Sequence, residues 1–175
     1  MVASAVAAAA GFLLALATTL WLIPVGVVSI LAGWLYTGGP RPYGYAGYGE
    51  VFVFVFFGLV ATVGSAFVQE ERVTALAVGV AVPVGLLATA LLVVNNLRDI
   101  PTDTVSGKRT LAVKIGDQPT RWLYAALVGL PFVVLPVVAG LSGRPYAAAG
   151  LIAVLLAPRP VADVMTGASG PALIP

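Results

Sequence analysis

What most limits the folds open to this chain is a succession of long apolar runs separated by short polar breaks. The runs lie near residues 2–20, 21–36, 51–68, 73–97, 121–141 and 145–158. Such lengths match the ~20 residues a helix needs to cross hydrocarbon, whereas a barrel strand needs about 9–11 and must alternate. A helix in lipid satisfies its own backbone groups, which an isolated strand cannot do. The expected fold is therefore all-α, a polytopic transmembrane bundle of about six helices in a single domain over 1–175. Only 9% of residues are charged, against about 25% in soluble domains, and the mean hydropathy is +1.04. The chain has no Cys and no His, which excludes disulfides, thiol nucleophiles, His-ligated zinc or haem, and a Ser-His-Asp triad. A net charge of +2 gives no sign of nucleic-acid binding.

Charge also sets an orientation. Alternate loops put Arg41, Arg98, Lys108, Arg109, Lys114, Arg121 and Arg159 on one side, leaving Arg72 and Arg144 on the other. The positive-inside rule makes the first side cytoplasmic, together with both termini. The cell membrane is the expected location. The first run is Ala-rich and lacks the basic start of a signal peptide, so it is expected to be a mature helix or one cut at its start. Trp21, Trp34 and Tyr36 suit interfacial belts around the second run. Residues 158–175 are Gly/Pro-rich and are expected to be a polar tail.

Two polar loops then face the same side. Residues 37–50 set Tyr43, Tyr45 and Tyr48 between glycines and end at Glu50, where a negative charge favours a helix N-terminus. The tyrosines either rest at headgroup level or cap a pocket. The second loop carries the densest polar chemistry of the chain, residues 95–110, Asn-Asn-Leu-Arg-Asp-Ile-Pro-Thr-Asp-Thr-Val-Ser-Gly-Lys-Arg-Thr. Asn95, Asp99 and Asp103 are spaced i, i+4, i+8 and would share one helix face. Pro101 disfavours helix at Ile100, so the helix is expected to end near Leu97–Ile100, with a short second turn after it. Two neighbouring carboxylates must take a proton, a cation or a metal. Hard oxygens of this kind suit Mg²⁺, which takes one or two carboxylates plus phosphate oxygens and waters. Lys108 and Arg109 follow at once and can hold a diphosphate. The plain alternative is a solvated loop with helix-end charges.

The run Asn95-Asn96-Leu97-Arg98-Asp99-Ile100-Pro101-Thr102-Asp103, followed by Gly107-Lys108-Arg109-Thr110-Leu111-Ala112-Val113, resembles the second aspartate-rich motif of the UbiA superfamily of intramembrane prenyltransferases. Tyr36 to Pro40, Pro42 to Gly47 and Gly49-Glu50, with Phe54 to Gly58, resemble the preceding loop and helix of the branch that acts on 1,4-dihydroxy-2-naphthoate in menaquinone synthesis, in its actinobacterial form. The resemblance implies a fold of about nine helices, with two aspartate-rich motifs holding Mg²⁺ on a prenyl diphosphate. It implies a polyprenyl diphosphate donor and an aromatic acceptor that loses CO₂ as demethylmenaquinol forms. Carried over, Asp99 and Asp103 are Mg²⁺ ligands, Lys108 and Arg109 contact the diphosphate, and Asn95 orients the acids. Asn96, Arg98, Tyr43, Tyr45 and Glu50 complete the substrate-binding set.

The first motif, Asn-Asp-x-x-Asp with a further Asp, is absent, since residues 1–94 contain no Asp. The resemblance thus implies a chain truncated at both ends and inactive alone. The competing readings are a relative acting on another acceptor, such as 4-hydroxybenzoate, and a transporter with carboxylates inside its spans. The Asp-Gly-x-x-Ala-Arg signature of CDP-alcohol phosphotransferases is missing.

Overall fold

The computed structural model describes residues 2–173; residues 1, 174 and 175 lie outside the described part. Among the described residues every regular element is helical. The helices are α1 (Val2–Ala17), α2 (Leu22–Thr37), α3 (Gly49–Glu70), α4 (Ala75–Val105), α5 (Leu111–Ile115), α6 (Asp117–Leu141) and α7 (Pro158–Met165). The segment 145–158, expected as a sixth span, is a 3₁₀ helix over Pro145–Leu156 that runs on into α7. Gly49–Glu70, Ala75–Val105, Asp117–Leu141 and Tyr146–Met165 are each long and apolar enough to cross a bilayer. α1 and α2 are apolar but shorter, 16 residues each.

The central element is α4, which packs on α3, α5 and α6. Its core contacts join Ala90, Val93, Val94 and Leu97 to Tyr124 and Leu127 of α6 and Val164 of α7. Thr74 starts it as an N-cap, accepting the Ala77 N–H at 3.1 Å. α3 crosses α4 where Gly58 meets Gly85: a Cβ on Gly58 would stand 2.6 Å from the Gly85 Cα. Small residues permit this approach where lipid supplies no hydrophobic drive between helices. The crossing falls within a π-helical stretch, Phe54–Val60, inside α3.

Two expectations are corrected. α4 does not end near Leu97–Ile100 but continues through Pro101 to Val105. Its lower turns are held in place by burial of Asp103 and by Thr102 and Thr104, whose hydroxyls donate to the Asp99 and Ile100 carbonyls at 3.0 and 2.7 Å. The stretch after residue 158 is not simply a polar tail. It folds as α7, with Val164 buried and its carbonyl accepting Nη1 of Arg121, a guanidinium only 4% exposed. The same guanidinium forks onto Asp117 at 2.6 and 2.9 Å.

Candidate functional site

Three segments build one polar end of the bundle: the loop before α3, the last turns of α4, and the link from α4 into α5. Pro42 leads into a single 3₁₀ turn, Tyr43–Ala46. The Tyr45 carbonyl accepts the Arg109 backbone N–H at 2.9 Å. The Ala46 carbonyl accepts Lys114 Nζ at 2.6 Å, and that ammonium lies 5.6 Å from the centre of the Tyr48 ring. Gly47 sits at the junction with φ of 78°, and a Cβ there would stand 3.1 Å from the Arg109 carbonyl oxygen. The two polar loops, distant in sequence, therefore meet.

The aromatic side of the site is rigid. Tyr43 stacks on Phe52 with ring centres 3.9 Å apart, and meets Tyr36 edge-on at 5.5 Å. Its hydroxyl donates to the Ala32 carbonyl at 2.8 Å. Burial pushes the Tyr43 hydroxyl pKa up, so it remains a donor. Tyr43 thus spends its polar group on α2. Tyr45 is exposed and lies under Lys108, with Nζ 4.9 Å from the ring centre. Below these rings an apolar cavity of about 640 Å³ opens between α2 and α3, with Tyr36, Tyr43, Phe52 and Phe56 in its wall.

The acidic side is one face of α4. Because the helix is continuous, Asn96, Asp99 and Asp103 fall at i, i+3, i+7 and line up. Asp99 receives a two-point fork from its neighbour Arg98, Nε to Oδ1 at 2.7 Å and Nη2 to Oδ2 at 2.9 Å. Asp103 is 6% exposed and its Oδ1 lies 3.2 Å from Lys108 Nζ. Hydrogen bonding to Asp103, reinforced by its charge, raises the Lys108 pKa above the ordinary lysine value. Arg109 is exposed at the same mouth. Asn95 turns back on its own helix and donates to the Leu91 carbonyl at 2.9 Å, not to either acid.

Asn96 reaches the other way. Its Nδ2 donates to Glu50 Oε1 at 2.9 Å, tying α3 to the acidic face. Glu50 stands in the first turn of α3, where the helix dipole favours it, and is only 7% exposed. Lys114 was visible in the sequence only as one more positive charge. Its contact with Ala46 became legible once both loops were folded.

Asp99 and Asp103 carry hard oxygen donors of the kind a magnesium ion takes. Two carboxylates one helical turn apart supply hard oxygens, and phosphate oxygens and water complete such sites. Each acid holds a cationic side chain where a metal would otherwise neutralise it. No group of three or more acidic, His or Cys side chains gathers among the described residues.

The model of the UbiA prenyltransferase family matches residues 1–164. A 1,4-dihydroxy-2-naphthoate octaprenyltransferase of Mycobacterium tuberculosis is 47% identical over 175 residues, covering 100% of this chain and 59% of that protein. The enzyme of the same name from Mycobacterium leprae is 49% identical over 173 residues, 97% of this chain and 57% of its own length. That from Escherichia coli is 44% identical over 104 residues, 59% of this chain and 34% of its own. The chain thus spans about three fifths of the length of its mycobacterial relatives. No solved structure matches it.

Proposed function

Because the chain belongs to the UbiA prenyltransferase family, we propose that it forms part of an enzyme that moves a polyprenyl group from its diphosphate to 1,4-dihydroxy-2-naphthoate. The observation that carries this reading is the meeting of the two loops. It brings Lys108 and Arg109, the acids of α4 and the Tyr45 ring to one end of a lipid-embedded bundle. A donor with a charged head and a long apolar tail fits such a boundary.

In this reading Lys108, Arg109 and Arg98 bind the diphosphate, while Asp99 and Asp103 hold Mg²⁺. When bound, the ion neutralises charge on the departing diphosphate. The bond from the prenyl C1 to the diphosphate oxygen breaks, and its electron pair leaves with the diphosphate. The ring carbon bearing the carboxylate attacks C1. That carboxylate then departs as CO₂, and the electron pair it leaves behind restores the aromatic ring as demethylmenaquinol. Arg98 and Lys108 pair with the acids before substrate arrives, and in this reading they turn to the incoming phosphates. Tyr43, fixed to α2 and stacked on Phe52, holds the wall near the acceptor.

In this reading the bundle is a single transmembrane domain, and the basic bias around the mouth supports a cytoplasmic mouth in the cell membrane. The chain by itself is then inactive, since two acids on one helix compensate too little of the diphosphate charge.

A chimera tests the assignment. Residues 1–175 replace the matching region of the mycobacterial relative, and membranes are given labelled polyprenyl diphosphate with 1,4-dihydroxy-2-naphthoate or 4-hydroxybenzoate. Magnesium-dependent prenylation of the naphthoate alone is the expected result. Transfer to 4-hydroxybenzoate, or none at all, would remove the assignment.

A further inference from the structure

Glu50 carries an unanswered acceptor. The residue is 7% exposed, its Oε1 is bonded to Asn96, and its Oε2 is buried with no hydrogen-bond partner among the described residues. A buried polar atom left unpaired costs about 1–3 kcal/mol, so one tied through Asn96 to the acidic face of α4 asks what completes it. The neighbouring amide and basic side chains are already engaged, and the Tyr36 hydroxyl, beside Gly49, makes no bond to Oε2. Asn96 Nδ2 serves Oε1, Arg98 serves Asp99, and Lys108 serves Asp103.

Position narrows the choice of partner. Asn96 lies on the same face as Asp99, three residues closer to the middle of α4. At 1.5 Å per residue, Glu50 is therefore attached about one turn deeper than the first acid, on the bundle side of the diphosphate end. Gly49, beside it, packs against the Tyr36 ring: a Cβ there would stand 3.3 Å from a Tyr36 ring carbon and 3.4 Å from the Tyr36 hydroxyl oxygen. An acceptor position beside an aromatic wall fits a flat ring that bears a hydroxyl. It does not fit an isoprenoid tail, which has no donor, or a phosphate, which repels a carboxyl oxygen.

We propose that Glu50 Oε2 accepts a hydrogen bond from a ring hydroxyl of the aromatic acceptor, and that Asn96 aims it. This rests on the assigned prenyl transfer for the identity of the acceptor. It makes Glu50 a residue that selects hydroxylated rings, in addition to its place at the start of α3. The acceptor is then gripped from α3 while the donor is gripped from the end of α4, and the Glu50–Asn96 bond sets the spacing between them.

Glu50→Gln isolates the effect. The amide oxygen still accepts from Asn96, while an NH₂ group replaces Oε2 and turns an acceptor into a donor with the same shape. Purified protein in nanodiscs is titrated with 1,4-dihydroxy-2-naphthoate and with its dimethyl ether, and binding is followed calorimetrically. Wild-type protein is expected to prefer the dihydroxy ring by tenfold or more. E50Q should lose that preference, while a prenyl diphosphate analogue with Mg²⁺ binds as before. Equal preference in wild type and E50Q overturns the role of Glu50 and leaves the prenyl-transfer reading standing. Failure of wild type to bind either ring overturns the acceptor assignment and this inference with it. Should E50Q not fold, Glu50→Asp, which draws the carboxylate back by one methylene, takes its place: an undiminished preference for the dihydroxy ring refutes the proposal.

Discussion

Lys108 folds back across the end of α4 to place its Nζ 3.2 Å from Asp103 Oδ1, over the ring of Tyr45. One ammonium thus touches an acid of the central helix and an aromatic ring of the other loop. In the proposed enzyme it is also one of the cations that meet an arriving diphosphate. Lys108→Met should weaken binding of a prenyl diphosphate analogue about tenfold, equivalent to about 1.4 kcal/mol of binding free energy. Affinity for the naphthoate should not change. Calorimetric titration of both ligands checks this, and equal loss for both would point to collapse of the loop instead.

The same pair gives a pH expectation. The Lys108 pKa is raised in the folded protein, chiefly by hydrogen bonding to Asp103. Its contribution to stability is therefore fully present below the ordinary lysine value and is lost as pH rises through the higher folded value. Thermal midpoints should show no loss from this pair through neutral and mildly alkaline pH, then a loss above the ordinary lysine range. Lys108→Met should abolish that alkaline step.

The two acids should differ in how they tolerate replacement. Asp99→Asn and Asp103→Asn should each reduce magnesium-dependent binding of the prenyl diphosphate analogue by about tenfold or more, a loss at the lower end of what metal sites show when supporting groups are altered. Asp103→Asn should also lower the melting temperature, because Asp103 is buried and holds Lys108, whereas Asp99 is partly exposed. Binding that stays independent of magnesium in wild type would remove the metal role of both.

Backbone geometry makes a further contrast available. Gly47 has φ of 78° beside the Arg109 carbonyl, so Gly47→Ala should cost about 1–2 kcal/mol. It should also open the junction of the loops to protease. Gly58→Ala puts a Cβ 2.6 Å from the Gly85 Cα and should cost about 1–3 kcal/mol as α3 is forced off α4. Gly64→Ala, in the same helix with nothing within 4 Å, should be neutral or mildly stabilising. Unfolding midpoints in detergent check all three.

The apolar runs made the helical bundle legible, because length and lack of charge leave lipid-spanning helices as the consistent solution. The polar cluster was legible for the same reason, since Asp99, Asp103, Lys108 and Arg109 stand out against so little charge. The path of α4 was not. Pro101 is a local signal for helix termination, and burial of Asp103 with its ion pair overrode it. α7 was missed because Pro158 and Gly167 read as punctuation, although Val161 and Val164 already sit at helical spacing. Contacts between residues far apart in sequence, such as Asn96 with Glu50, follow from packing and have no local signature.

The bond from the Arg109 amide to the Tyr45 carbonyl joins main chain to main chain. No exchange of side chains at either position, short of proline at 109, deletes it. In the proposed enzyme, residues around the tyrosines can therefore drift while the distance to the phosphate end stays fixed. A lineage of such enzymes could change what it prenylates without having to relearn how to release the leaving group.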